Sequence, residues 1–79
     1  MNFVYILQSQ KDRTYYTGHT KNLKTRLKQH NSGKVRSTKS KWPWKLIYKE
    51  TCQTKQEAYK RELQIKSYKK GEAFKKLIR

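Results

Sequence analysis

Phe3-Val4-Tyr5-Ile6-Leu7, then Tyr15-Tyr16-Thr17-Gly18, then Asn22-Leu23-Lys24-Thr25-Arg26-Leu27-Lys28-Gln29-His30 follow one another within the first thirty residues. Their periodicities decide the fold. The first stretch is apolar at every position, Phe3, Tyr5 and Leu7 alternating with Val4 and Ile6. This predicts a strand over residues 2–9, covered on both faces and central in its sheet. Gln10-Lys11-Asp12-Arg13 is polar and short enough for a hairpin. Residues 14–20 return as a second strand, with Tyr15, Thr17 and His19 on one face and Thr14, Tyr16 and Gly18 on the other. Gly18 carries no side chain, so another group can come close to the backbone there. Thr20 or Asn22 can cap the helix that follows. In it Leu23, Arg26, Leu27 and His30 share one stripe, which makes Arg26 and His30 neighbours on the face that meets the sheet. Gly33 is a C-terminal stop.

Working outward, residues 34–43 have no period and read as a mobile basic loop. Trp44, Leu46, Tyr48 and Cys52 alternate with Lys45, Ile47, Lys49 and Thr51, the pattern of a strand whose lysines protect an edge. Pro43 is tolerated at its start. Thr54-Lys55-Gln56-Glu57 is a capping box opening a helix to about Tyr68. On its wheel Ala58, Tyr59, Leu63 and Ile65 form an apolar arc, with Glu62 and Lys66 inside it. Gly71 interrupts the pattern, and residues 72–78 form a last helix with Phe74, Leu77 and Ile78 inward.

Twenty-one Lys and Arg against five Asp and Glu give a formal charge of +16 on 79 residues. Such a chain attracts polyanions, whether DNA, RNA or an anionic membrane. The length suits one small domain, residues 1–79. Hydrophobic residues are only 33% of it, so the core must lean on aromatics. Scarce aliphatic residues raise the question of disorder, but they cluster in strand-like and helix-like runs, which argues for a folded domain. No run of about eighteen apolar residues could span a bilayer, and no secretory signal is expected. Neither main helix sets a broad apolar face against a basic one, which disfavours a membrane-surface role. The lone Cys52 reads as a small buried hydrophobe in a reducing, cytoplasmic setting.

Glu62 is the most informative acid. Asp12 lies in a turn, Glu57 belongs to the cap, and Glu50 and Glu72 sit near element ends. Glu62 alone falls mid-helix on a covered face, where a carboxylate needs a partner. A pair with Lys66 at i+4 is one candidate, worth only about 0.2–0.5 kcal/mol. A metal ion is the other and accounts better for a desolvated acid, since Mg²⁺ takes one or two carboxylates and completes its shell with water and phosphate oxygens. Arg26 is either a solvated helix charge or a fork for two phosphate oxygens. His30 is either packed or a proton acceptor near neutral pH. Tyr5 and Tyr16 are either core aromatics or phenols that a nearby cation makes acidic enough to help. Lys34, Arg36, Lys39, Lys41 and Trp42, with Trp44, offer phosphate contacts and stacking surfaces that position a strand without reading it. His19 and Lys66 are counted with them as nucleic-acid contacts.

Tyr5, then Tyr16-Thr17-Gly18, Asn22-Leu23-Lys24-Thr25-Arg26, His30-Asn31-Ser32-Gly33, Glu57-Ala58, Glu62 and Ile65-Lys66 together resemble the GIY-YIG endonuclease superfamily. Within it the chain is similar to the short stand-alone bacterial proteins whose function is mostly uncharacterised. The likeness covers nearly the whole chain, carried by the order and spacing of the motifs. There are departures. Phe3-Val4-Tyr5 keeps only the tyrosine of the first motif, and Tyr16-Thr17-Gly18 has Thr for Ile. His19 stands where relatives often have lysine. No Asn follows Asn31, so the role some members give a late Asn is vacant or falls to Lys69 or Lys70.

The resemblance implies an α+β domain, a three-stranded antiparallel sheet flanked by helices in the order β-β-α-β-α-α. It also implies hydrolysis of phosphodiester bonds in DNA, in a setting such as repair or recombination. Glu62 would hold one Mg²⁺ or Mn²⁺, Arg26 would stabilise charge on the phosphoryl group, and Tyr5 or Tyr16 with His30 would orient the attacking water. A protein partner could supply specificity. The alternative is the same fold as a basic nucleic-acid-binding module with catalysis weak or lost. The presence of Tyr5, Tyr16, Arg26 and Glu62 together favours the enzyme.

Overall fold

The computed structural model describes residues 1–69 and 71–79. Strand β1 (Asn2–Ser9) is central, with β2 (Tyr15–Thr20) and β3 (Trp44–Cys52) antiparallel on either side. Helix α1 (Leu23–Asn31) follows β2, and α2 (Lys55–Ser67) and α3 (Glu72–Ile78) follow β3. The α+β order β-β-α-β-α-α matches the expectation. Because β1 is apolar on both faces, it divides two cores. Tyr5 and Leu7 pack with Tyr16, Leu23, Leu27, Trp44 and Leu46 under α1. Val4 and Ile6 pack with Ala58, Ile65 and Phe74 under α2 and α3. Each fully buried aliphatic or aromatic side chain contributes about 1.5–3 kcal/mol, so both clusters are needed for a domain this short.

Two expectations are corrected. Trp44 and Leu46 lie in the α1 core, whereas Tyr48 and Cys52 pack on the α2 side. The register slips between Ile6, which faces Tyr48, and Leu7, which faces Leu46. Ile47 is the extra residue of a bulge, and it switches the parity of everything after it. On α2, Tyr59 and Leu63 are about half exposed rather than part of the apolar arc. The helix buries only the narrow stripe Ala58, Glu62 and Ile65.

The segment expected to be a mobile loop is tied to the domain at several points. It holds a single 3₁₀ turn, Lys39–Lys41. The Ser9 hydroxyl accepts the amides of Lys11 and Asp12 and donates to the Lys41 carbonyl at 2.6 Å. Asn31, at the end of α1, exchanges two hydrogen bonds with the Trp44 backbone, at 2.6 and 3.1 Å. The helix caps agree with the sequence. Asn22 accepts the Thr25 amide, Thr54 accepts the Glu57 amide, and Gly33 takes φ +78 after α1.

Candidate active site

The site begins with Gly18. It stands directly opposite Tyr5 in the β1–β2 register. A Cβ on Gly18 would lie 2.7 Å from the Tyr5 hydroxyl oxygen and 3.1 Å from Cε1 of Tyr16. The missing side chain is what lets the Tyr5 hydroxyl rest against the β2 backbone at the edge of the sheet. Tyr16, two residues earlier on the same face of β2, has its ring 6.3 Å from that of Tyr5 and 4.9 Å from His30.

His30 comes from the last turn of α1 and is fully buried. Its Nε2 is 3.0 Å from the Tyr5 hydroxyl and its Nδ1 is 2.8 Å from Thr38 Oγ1. Thr38 in turn donates to the Val35 carbonyl. The arrangement that uses every proton once assigns Nδ1–H to Thr38, leaving Nε2 to accept from Tyr5. Burial, and then the charge of Arg26, push the imidazole down to about 4, so it is neutral at pH 7. Burial pushes the Tyr5 phenol up to about 12 against the opposing pull of Arg26. Arg26 lies beside the hydroxyls of Tyr5 and Tyr16, which raise its own pKa, and donates to Gln29 Oε1 at 3.1 Å.

Glu62 reaches the same end of the sheet from the other face. Its Oε1 accepts from His19 Nδ1 and its Oε2 from Lys66 Nζ, both at 2.6 Å. His19 follows Gly18 in the chain, and the Glu62 charge adds a minor upward push to the Tyr5 phenol. The i,i+4 pair considered from sequence is therefore present, joined by a histidine counted from sequence as a nucleic-acid contact.

A divalent ion can be tested against this chemistry. Among the described residues no three His, Cys, Asp or Glu side chains group closely enough to hold a metal between them. One buried carboxylate beside an open face does fit a hard cation that draws its other oxygens from water and phosphate. Glu62 is that carboxylate, and Lys66, with a half-exposed side chain, can yield its oxygen.

The residues expected to grip nucleic acid are spread wider. Lys34, Arg36, Lys39 and Trp42 are exposed beyond α1. Lys41 Nζ lies 3.6 Å from Asp12 and 3.4 Å from Thr14 Oγ1. Lys69 is exposed, and Lys70 lies outside the described residues. Thr38 was missed from sequence: a threonine amid lysines gives no signal of its 1% exposure. The stacking surface expected of Trp44 is not available. Trp44 is buried instead, with Nε1 donating to the Thr38 carbonyl at 3.0 Å. Its indole thus fixes the segment that fixes His30.

The sequence profile described as the GIY-YIG catalytic domain matches residues 1–76. A UPF0213 protein of Staphylococcus epidermidis is 43% identical over 75 residues, 94% of this chain and 90% of that protein. A UPF0213 protein of Syntrophus aciditrophicus is 45% identical over 73 residues, 90% of this chain and 83% of its own. Among solved structures, the solution NMR structure of a UPF0213 protein from Bacillus halodurans matches with a TM-score of 0.52 and 36% identity. That match covers 85% of this chain and 72% of that one.

Proposed function

The chain belongs to the GIY-YIG catalytic-domain family, and on that premise we propose that it is an endonuclease hydrolysing phosphodiester bonds in DNA with Mg²⁺ or Mn²⁺. The observation that carries the reading is the clustering of Tyr5, Tyr16, Arg26 and His30 against Gly18, with Glu62 held by His19, the next residue of β2. Arg26 offers a two-oxygen fork to the phosphate and stabilises charge gathering on it. Tyr5 is a neutral phenol at pH 7. It orients the attacking water at its oxygen while its own proton points to His30 Nε2. A phosphate against Arg26 offsets one of the two influences that keep His30 acidic, so His30 becomes a better proton acceptor when substrate is present. Glu62 would hold the divalent ion, which when bound polarises the phosphate and neutralises the departing oxygen. A cytoplasmic setting suits the lone, partly buried Cys52. No helix among the described residues is long and apolar enough to cross a membrane.

A second reading is a basic nucleic-acid clamp with little catalysis. It draws on the fact that both oxygens of Glu62 are already engaged. One experiment separates the two. Supercoiled, linear, single-stranded and branched DNA are incubated with wild type and Glu62→Ala in Mg²⁺, Mn²⁺ or EDTA. We expect metal-dependent cutting that falls at least about 100-fold in the variant, with DNA affinity, carried by phosphate contacts, changed less than about threefold. Cutting by Glu62→Ala at the wild-type rate would overturn the assignment. Tight binding without cutting on any substrate would favour the clamp, or an enzyme that needs a protein partner.

A further inference from the structure

We propose that the cleft between the edge strand β2 and the α2–α3 layer is a pocket for an unpaired nucleobase. The substrate would then be a nucleic acid with a bulged, frayed or single-stranded nucleotide beside the cleaved phosphate. The inference deepens the nuclease reading and relies on it for where the phosphate lies.

The cleft measures about 380 Å³ and is walled by Tyr15, Tyr16, Ile65 and Phe74, with Lys66 and Lys69 beside it. Tyr15 and Phe74 meet edge to face with ring centroids 5.0 Å apart. Phe74 and Ile65 are nearly fully buried, so this side of the cleft is set by the core. No acid lines it.

Two arguments identify the occupant. The first is chemical. Aromatic walls accept the face of any base, and two ammonium groups stand where the attached phosphates would run. On a chain of charge +16, an apolar slot flanked by lysines complements a nucleotide better than it complements a basic or neutral peptide. The second is positional. Lys66 lines the cleft and also holds Glu62 at 2.6 Å, and Tyr16 lines the cleft and also packs against His30. A strand whose phosphate sits between Arg26 and Glu62 therefore has an adjoining base at the mouth of the cleft. A paired base is locked in its stack, and extrusion costs least for a mismatched or unpaired one. The cleft thus selects structure rather than sequence.

The test is made on the whole chain in EDTA, so that nothing is cut. Two duplexes of equal length are compared, one fully paired and one carrying a single unpaired 2-aminopurine. The unpaired duplex should bind about tenfold or more tightly, with 2-aminopurine fluorescence quenched by stacking. Tyr15→Leu keeps an apolar contact with Phe74 but removes the stacking ring, and should bring that ratio close to one. Titration of wild type with deoxyadenosine monophosphate, followed by NMR, needs no variant and should move the signals of Tyr15, Ile65 and Phe74. Equal affinity for the two duplexes, or nucleotide-induced shifts confined to other residues, would overturn the pocket. The preference for the unpaired duplex with no metal-dependent cutting of any substrate would support the pocket and count against the nuclease reading. Cutting with no preference would do the reverse.

Discussion

Thr38 decides which nitrogen of His30 faces Tyr5. Its hydroxyl gives its proton to the Val35 carbonyl and so must accept from His30 Nδ1, which leaves Nε2 free for the phenol. Thr38→Val keeps the shape and removes the acceptor. A buried N–H left without a partner costs about 1–3 kcal/mol, so the variant should lose about that much in urea unfolding. The ring ¹⁵N shifts should move toward the other tautomer, and Thr38→Ser should restore both readings. The pH dependence has a definite sign. The unfolded histidine takes up a proton near 6.5, whereas the folded one resists until about 4. Between those values the unfolded chain holds more protons, so stability falls as pH drops through the window, by up to about 3 kcal/mol. Above pH 6.5 this contribution does not vary. Unfolding midpoints at pH 7 and 4.5, with an NMR titration of the His30 ring, check it. A His30 that titrates near 6.5 would contradict the burial argument.

Elements were legible where one side chain reports on its own surroundings, and less so where an element depends on a distant one. The two-sided apolar run of β1 announced a central strand, and Thr54 with Glu57 announced the start of α2. Glu62 stood out because an acid on a covered helical stripe needs a reason. The bulge at Ile47 was hidden, because an alternating pattern reads the same with or without one extra residue. The exposure of Tyr59 and Leu63 was hidden because a narrow three-stranded sheet covers less of a helix than its apolar arc suggests. The clamp on Thr38 joins residues far apart in sequence and left no local trace.

The contact between α2 and β3 was missed in the same way. Arg61 Nε donates to Glu50 Oε1 at 2.6 Å, and the Tyr48 hydroxyl donates to the other oxygen. Burial would raise the Glu50 carboxyl, but the bonds from Arg61 and Tyr48 together outweigh it and hold it below its usual value. Arg61→Ala should therefore cost about 1–2 kcal/mol at pH 7. Because the carboxyl is depressed in the fold, that contribution is present above about pH 4 and fades as pH falls further. Urea unfolding of both proteins at pH 7 and pH 3 measures it. An equal penalty at both would show that the loss is packing and not charge.

At the scale of the whole molecule the charge acts in two opposite directions. Asp12, Glu50 and Glu62 are each committed to a basic partner, so few acids are left to offset twenty-one Lys and Arg. The folded chain repels itself, and added salt should relieve that by screening. Thermal stability without nucleic acid should thus rise between low and physiological salt. Binding should move the other way. Each phosphate neutralised releases counterions, and log K falls with log salt at a slope of about −0.9 per phosphate on duplex DNA. If the exposed cations beyond α1 and along α2 grip the backbone together, the slope should be steeper than about −4, four or five phosphates in all. Lys39 is exposed, so Lys39→Gln should reduce the slope by about one and weaken all sequences alike. Affinity measured by fluorescence anisotropy from 50 to 300 mM KCl tests both numbers. A flat line would mean that the charge is not spent on phosphate. A steep line unchanged by Lys39→Gln would move the contact from the 34–43 segment to α2, where Lys66 already stands beside Glu62.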